Sequence, residues 1–146
     1  MANDFAHAAP VATKFSHNRE GDTVFVSGGL RDFFEYRDLG ITAASGGQVI
    51  AQLVRAKDAP EAGTGWHYHV ANFHIVLMLK GWARFMYEGK DTLVKAGDCV
   101  HQRPGIVHFL FDYSPDMEYL EIAGPADFKT IPVEGPVPVP PPTPWK

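Results

Sequence analysis

One cysteine, Cys99, stands alone in 146 residues, so no internal disulfide framework can hold the chain together. No apolar run approaches the roughly 18 residues that a membrane-spanning helix needs, which excludes that class. The first residues, MANDFAHAAPVATKF, lack the basic start and apolar stretch of a secretory signal, so a cytoplasmic location is expected. Thirteen Lys and Arg stand against 17 Asp and Glu, a formal net charge of -4, and leave no broad basic footprint for nucleic acid. The sequence holds neither a GxSxG elbow nor a phosphate-binding glycine loop. Cys99 has no neighbouring cation fixed by the sequence to activate it as a nucleophile. No segment sustains a helical period over the 10 or so residues of an ordinary helix; at most a turn of helix is expected over Ala6–Phe15.

What is there is β-texture. Val, Ile, Phe and Tyr gather in short runs punctuated by Gly and Pro. The runs predict strands over Thr23–Ser27, Phe33–Leu39, Val49–Ala56, Gly65–His69, Phe73–Leu79, Ala83–Tyr87, Asp91–Val94, Asp98–Gln102, Val107–Phe111 and Met117–Ile122. Tight turns are expected within LKGWARF, YEGKDTL and YSPDME. Many short strands at this spacing indicate an all-β sandwich or closed barrel. One domain over residues 1–130 is expected, irregular in its first 20 residues. The remainder, IPVEGPVPVPPPTPWK from Ile131 to Lys146, is too rich in proline for interior strands or helix. It predicts an extended arm lying on its own domain or on a dimer partner, with Trp145 as an anchor, and alternatively a polyproline ligand for an SH3-like domain.

Seven histidines are present, and three of them fall within GWHYHVANFHIV. Residues i and i+2 of a strand share a face, so His67 and His69 project together and Tyr68 points away. His74 opens the next run, and a hairpin would return it beside that pair. His108 lies far downstream, after the turn RPGIV. A single histidine on an apolar strand is usually a packed core residue, but several buried imidazoles each carry two ring nitrogens that need partners. A shared metal ion answers that need, and His67, His69, His74 and His108 are the candidate ligands. His7 and His17 read as solvated, and His101 alternates with Cys99 on a face that could lie near the site. Asp112 is expected at the surface.

At these residues the sequence resembles the cupin superfamily. HYHVANFHIVLMLKG carries the first motif, with His67 and His69 on its HxH, His74 on its glutamate position and Gly81 on its closing glycine. GDCVHQRPGIVH carries the second, with Gly97, Asp98, Gly105 and His108 in place, although Arg103 stands where the motif has its first proline. The resemblance implies a double-stranded β-helix, the jelly-roll barrel, with a metal in its mouth, and a homodimer. Histidine in place of glutamate at residue 74 leaves two outcomes open. Either four imidazoles bind, or His74 stands off as a hydrogen-bonding partner and three remain.

Imidazole donors suit a divalent transition metal such as Fe, Zn or Ni and suit Mg and Ca poorly. The resemblance therefore implies a metal-dependent enzyme on a small organic substrate, with a dioxygenase-like oxidoreductase first. A zinc or nickel isomerase, hydrolase or lyase is an alternative, and so is a non-catalytic module that binds metal or a small molecule. Gln48, Gln52 and Arg55 on one strand are candidate substrate contacts. Tyr68, Tyr87 and Tyr113 are candidate proton donors, although ordinary packing accounts for most tyrosines of this kind.

Overall fold

A computed structural model describes residues 12–145. Ten strands run in order as β1 (Phe34–Asp38), β2 (Ile50–Ala56), β3 (His67–Val70), β4 (Phe73–Lys80), β5 (Trp82–Tyr87), β6 (Lys90–Lys95), β7 (Cys99–His101), β8 (His108–Tyr113), β9 (Glu118–Gly124) and β10 (Lys129–Pro132). One turn of helix, α1 (Ile41–Ala44), links β1 to β2. The strands form two five-stranded sheets, ordered β1-β2-β9-β4-β7 and β10-β3-β8-β5-β6, and every strand pairing within them is antiparallel. Among the described residues no helix is long and apolar enough to cross a membrane.

Period-two alternation decides which side chains face inward. Along β4, His74, Val76 and Met78 are buried, whereas Ile75 and Leu77 between them are only half-buried. Ala83 and Phe85 do the same on β5, and Leu110 does so on β8. These residues meet Phe34, Val54, Val94, Tyr113, Met117 and Tyr119 in one core between the sheets. Phe34 and Tyr113 meet edge to face, with centroids 5.1 Å apart. The β5–β6 hairpin closes on Glu88 and Gly89, both at positive φ (52° and 77°). Two consecutive left-handed residues give the turn whose twist matches a right-twisted strand pair.

Nine of the ten expected strands form with ends shifted by a few residues. Thr23–Ser27 does not form one; it makes only isolated bridges, Glu20 to Thr23 and Val26 to Tyr36. Val24 and Val26 stay exposed, so the apolar run found no surface to cover. The helical turn expected over Ala6–Phe15 lies mostly outside the described residues, and residues 12–15 are irregular.

The proline-rich segment also departs from expectation at its start. Ile131 and Pro132 belong to β10, which pairs with β3 at the edge of its sheet. An edge strand leaves one side of its backbone unpaired, so a proline there forfeits little. Beyond it the arm lies on its own domain. Thr143 donates its backbone N–H and its hydroxyl to the two carboxylate oxygens of Asp112, at 3.0 and 2.8 Å. The Trp145 indole donates to the Tyr113 carbonyl at 3.2 Å.

Candidate metal centre

The histidines reach one place because three strands deliver them there. β3 and β8 are neighbours, and their pairing sets His67 directly across from His108. His69 follows two residues along the same face of β3. One ring nitrogen from each of His67, His69 and His108 lies within 4.8 Å of the others, and all three side chains are buried.

The other ring nitrogen of each is already engaged. Nδ1 of His67 donates to the Gly65 carbonyl at 2.8 Å, and Nδ1 of His108 donates to the Ile106 carbonyl at 2.9 Å. A carbonyl can only accept, so those Nδ1 atoms carry the protons and Nε2 keeps its lone pair. Nδ1 of His69 shares a hydrogen bond with the Thr130 hydroxyl of β10 at 2.9 Å. Partners on the far nitrogen that orient a ring and fix its tautomer are the usual companions of histidine ligands. Burial, reinforced by the neighbouring cationic groups, pulls the imidazoles well below their ordinary value, His67 to about 4, His69 to about 2 and His108 to about 3. The donors are therefore held neutral, the form that binds a cation.

His74 takes a different position. It comes from β4 in the opposite sheet, and its Nε2 lies 3.0 Å from Oε2 of Glu121 on β9. Its Nδ1 lies 3.2 Å from the Gln102 amide nitrogen. The Tyr87 hydroxyl donates to Gln102 Oε1 at 2.6 Å, which leaves the Gln102 N–H to donate to His74 and His74 to donate to the carboxylate. Gln52, directly across from Glu121 on β2, donates to Oε1 at 2.8 Å. Burial alone would raise the Glu121 carboxyl, but the bonds from His74 and Gln52 outweigh it and hold the group below its usual range. Both ring nitrogens of His74 are thus committed to protein partners, which distinguishes it from the other three.

The triad, His74, Gln52 and Glu121 line a cavity of about 330 Å³, walled by apolar residues such as Phe34, Val76 and Phe128. Phe128 packs against both His69 and His74, with centroids 5.1 and 5.4 Å away. Of the other expected site residues, only Gln52 lines this cavity. Tyr68 points to the other face of β3, as its place between His67 and His69 requires. Arg55 is an odd step from Gln52 on β2, so it faces outward, where it pairs with Glu35 at 3.0 Å and lies over the Phe25 ring. Gln48 is exposed and bonds to the Ser45 carbonyl. His101 and Cys99 are both exposed on β7.

Tyr113 is a core residue whose hydroxyl donates to the Asp58 carbonyl at 2.7 Å. Asp112 is fully buried and not at the surface, because Arg84 and Thr143 satisfy its carboxylate. Glu121, Gln102, Thr130 and Arg31 were not anticipated. Glu121 did carry a signal, since it shares a strand face with Tyr119 and Ala123, both buried.

Residues 54–121 match the family profile described as a cupin domain. No curated protein matches the sequence. Solved structures share the fold at low identity. KdgF from Halomonas sp. is 17% identical, with 75% of this chain and 94% of that one covered at a TM-score of 0.61. The polyketide cyclase RemF from Streptomyces resistomycificus is 18% identical, with 84% and 86% covered at 0.61. A predicted oxalate decarboxylase from Thermotoga maritima is 24% identical, with 75% and 98% covered at 0.58. The two-sheet topology and the likeness to these structures give this chain the cupin jelly-roll fold, and residues 54–121, which carry the buried histidine triad on β3 and β8, match the cupin domain profile within it.

Proposed function

We propose that the protein is a metal-dependent enzyme acting on a small organic molecule, with His67, His69 and His108 as the metal ligands and Glu121 as the group that exchanges a proton with the substrate. One observation carries this reading. A single cavity presents three neutral imidazoles with their far nitrogens already bonded, beside a carboxylate kept ionised by His74 and Gln52. The donor set fits a divalent Fe, Zn or Ni ion. When bound, such an ion would act as a Lewis acid toward a substrate oxygen or a water.

The protein's own groups supply the rest. Glu121 is placed to accept a proton from a carbon or hydroxyl acid in the cavity and to return it. His74 and Gln52 hold one carboxylate oxygen each, which fixes the plane of the group. Tyr87 and Gln102 fix the orientation of the His74 ring in turn. Phe34, Val76 and Phe128 limit water around the exchanging proton. These roles favour a lyase, isomerase or cyclising reaction. A second reading, an iron oxygenase, draws on the count of ligands, because three protein donors leave room for both a substrate and dioxygen.

Elemental analysis after metal loading tests the centre. About one equivalent is expected in the wild type and in His74→Asn, and none in His67→Ala or His108→Ala. Incorporation of solvent deuterium into α-keto acids and β-dicarbonyls, abolished in Glu121→Gln, supports proton exchange. Oxygen uptake by the iron-loaded protein would favour the oxygenase. Ligand-induced stabilisation without turnover or exchange would identify a binding module and overturn the enzymatic reading.

A further inference from the structure

Arg31 sits in the segment before β1, half-buried, and lines the same cavity as the histidines. Among the described residues it is the one lysine or arginine in that lining, as Glu121 is the one carboxylate. Its backbone N–H donates to the Tyr36 hydroxyl at 2.9 Å, which ties residue 31 to a side chain of β1. The side chain therefore starts from a fixed point. Its guanidinium makes no hydrogen bond or ion pair with a described residue, and its charge reaches His67, His69 and His108, whose protonation it opposes.

A guanidinium partly shielded from water is better satisfied when an anion meets it than by solvent alone. Glu121 lines the same cavity, but no hydrogen bond or ion pair joins it to the Arg31 guanidinium; its bonds run to His74 and Gln52. The planar fork of a guanidinium matches a carboxylate through two parallel N–H donors. The one guanidinium offers a single positive charge for a monoanion to face, and the ionised Glu121 in the same cavity works against any more highly charged anion. A phosphate dianion would find too little positive charge there. The volume of about 330 Å³ also suits a small molecule.

We propose that Arg31 binds the carboxylate of a small carboxylic-acid substrate and so directs the other end of that molecule toward the histidine triad. This rests on the cavity being the substrate site, as the metal-enzyme reading holds.

The test uses the full chain stripped of metal with EDTA, so that no ion competes for the probe. Calorimetric titration at low ionic strength compares benzoate, salicylate and pyruvate with benzamide and with inorganic phosphate. The wild type is expected to bind at least one of the carboxylates roughly tenfold to a hundredfold more tightly than benzamide. That preference is expected to vanish in Arg31→Gln and to survive in part in Arg31→Lys, with thermal melts showing both variants folded. Equal binding of carboxylate and amide overturns the proposal. So does a preference that Arg31→Gln retains, an absence of saturable binding by every carboxylate, or tighter binding of phosphate. Carboxylate binding through Arg31 in a protein that takes up no metal would sink the metal-enzyme reading and leave this one standing. Metal uptake without carboxylate preference would do the reverse.

Discussion

The low proton affinity of the triad makes the metal-free protein fragile in mild acid. His67, His69 and His108 have folded values near 4, 2 and 3, whereas an unfolded imidazole takes a proton near 6.5. Below 6.5 the unfolded chain therefore binds more protons than the folded one, and folding stability falls as pH falls. The contribution is fully present above 6.5 and is lost progressively down toward 4. Between pH 7.5 and 5.0 each histidine removes about 2 kcal/mol, since 1.5 units separate 6.5 from 5.0 and each unit is worth about 1.4 kcal/mol. Three such groups remove about 6 kcal/mol, comparable with the whole stability of many small domains. All three side chains are less than a tenth exposed, so solvent screening is slight. Urea unfolding of EDTA-treated protein at half-unit pH steps measures this directly. Replacing one of the three rings, as in His108→Gln, should reduce the loss by about a third, roughly 2 kcal/mol. A stability that stays flat from 7.5 to 5.0 would refute the claim that these rings are buried without protons.

Loading with zinc at pH 7.5 should raise the melting temperature of the wild type and leave His69→Ala unmoved, because a ligand that binds only the folded state stabilises it by mass action. Gly81 lies at φ 64°, and an added Cβ would run into the side chains of Ser114 and Asp116, so Gly81→Ala should cost about 2 kcal/mol or more in denaturant unfolding. Met78 is 1% exposed at the middle of the core, and Met78→Ala should cost about 2–5 kcal/mol by the same measurement. Tyr87→Phe should cost about 1–3 kcal/mol, because it leaves the buried Gln102 carbonyl without its donor.

Alternation made most of the fold readable. The run FHIVLMLK names its own inner face, and HYH names two residues that must project together. His108 was reachable because the turn before it resembles a known motif. Thr23–Ser27 has the composition of a strand, yet pairing depends on a neighbour that no local pattern reveals. His74 was legible as a member of the site, but the choice between ligand and hydrogen-bonding partner stayed open, since it turns on Glu121, 47 residues away on another strand. Glu121 itself hid behind the ordinary rule that charged residues face water. Arg31 lies in an irregular segment where no period assigns a face, so only three-dimensional placement shows that it enters the cavity. Asp112 was misread for a related reason. Its burial depends on Arg84 and on Thr143, which lies 31 residues further along the chain.

That last pairing bears on how the protein is made. Asp112 lies on β8, the strand that opens with His108, and it cannot be sealed from water until Thr143 has arrived. A nascent chain that has emerged only through β10 would therefore leave the buried Asp112 side chain without two of its hydrogen bonds. The contact that covers Asp112 therefore forms only after residue 143 has been made, which sets it late in folding during synthesis.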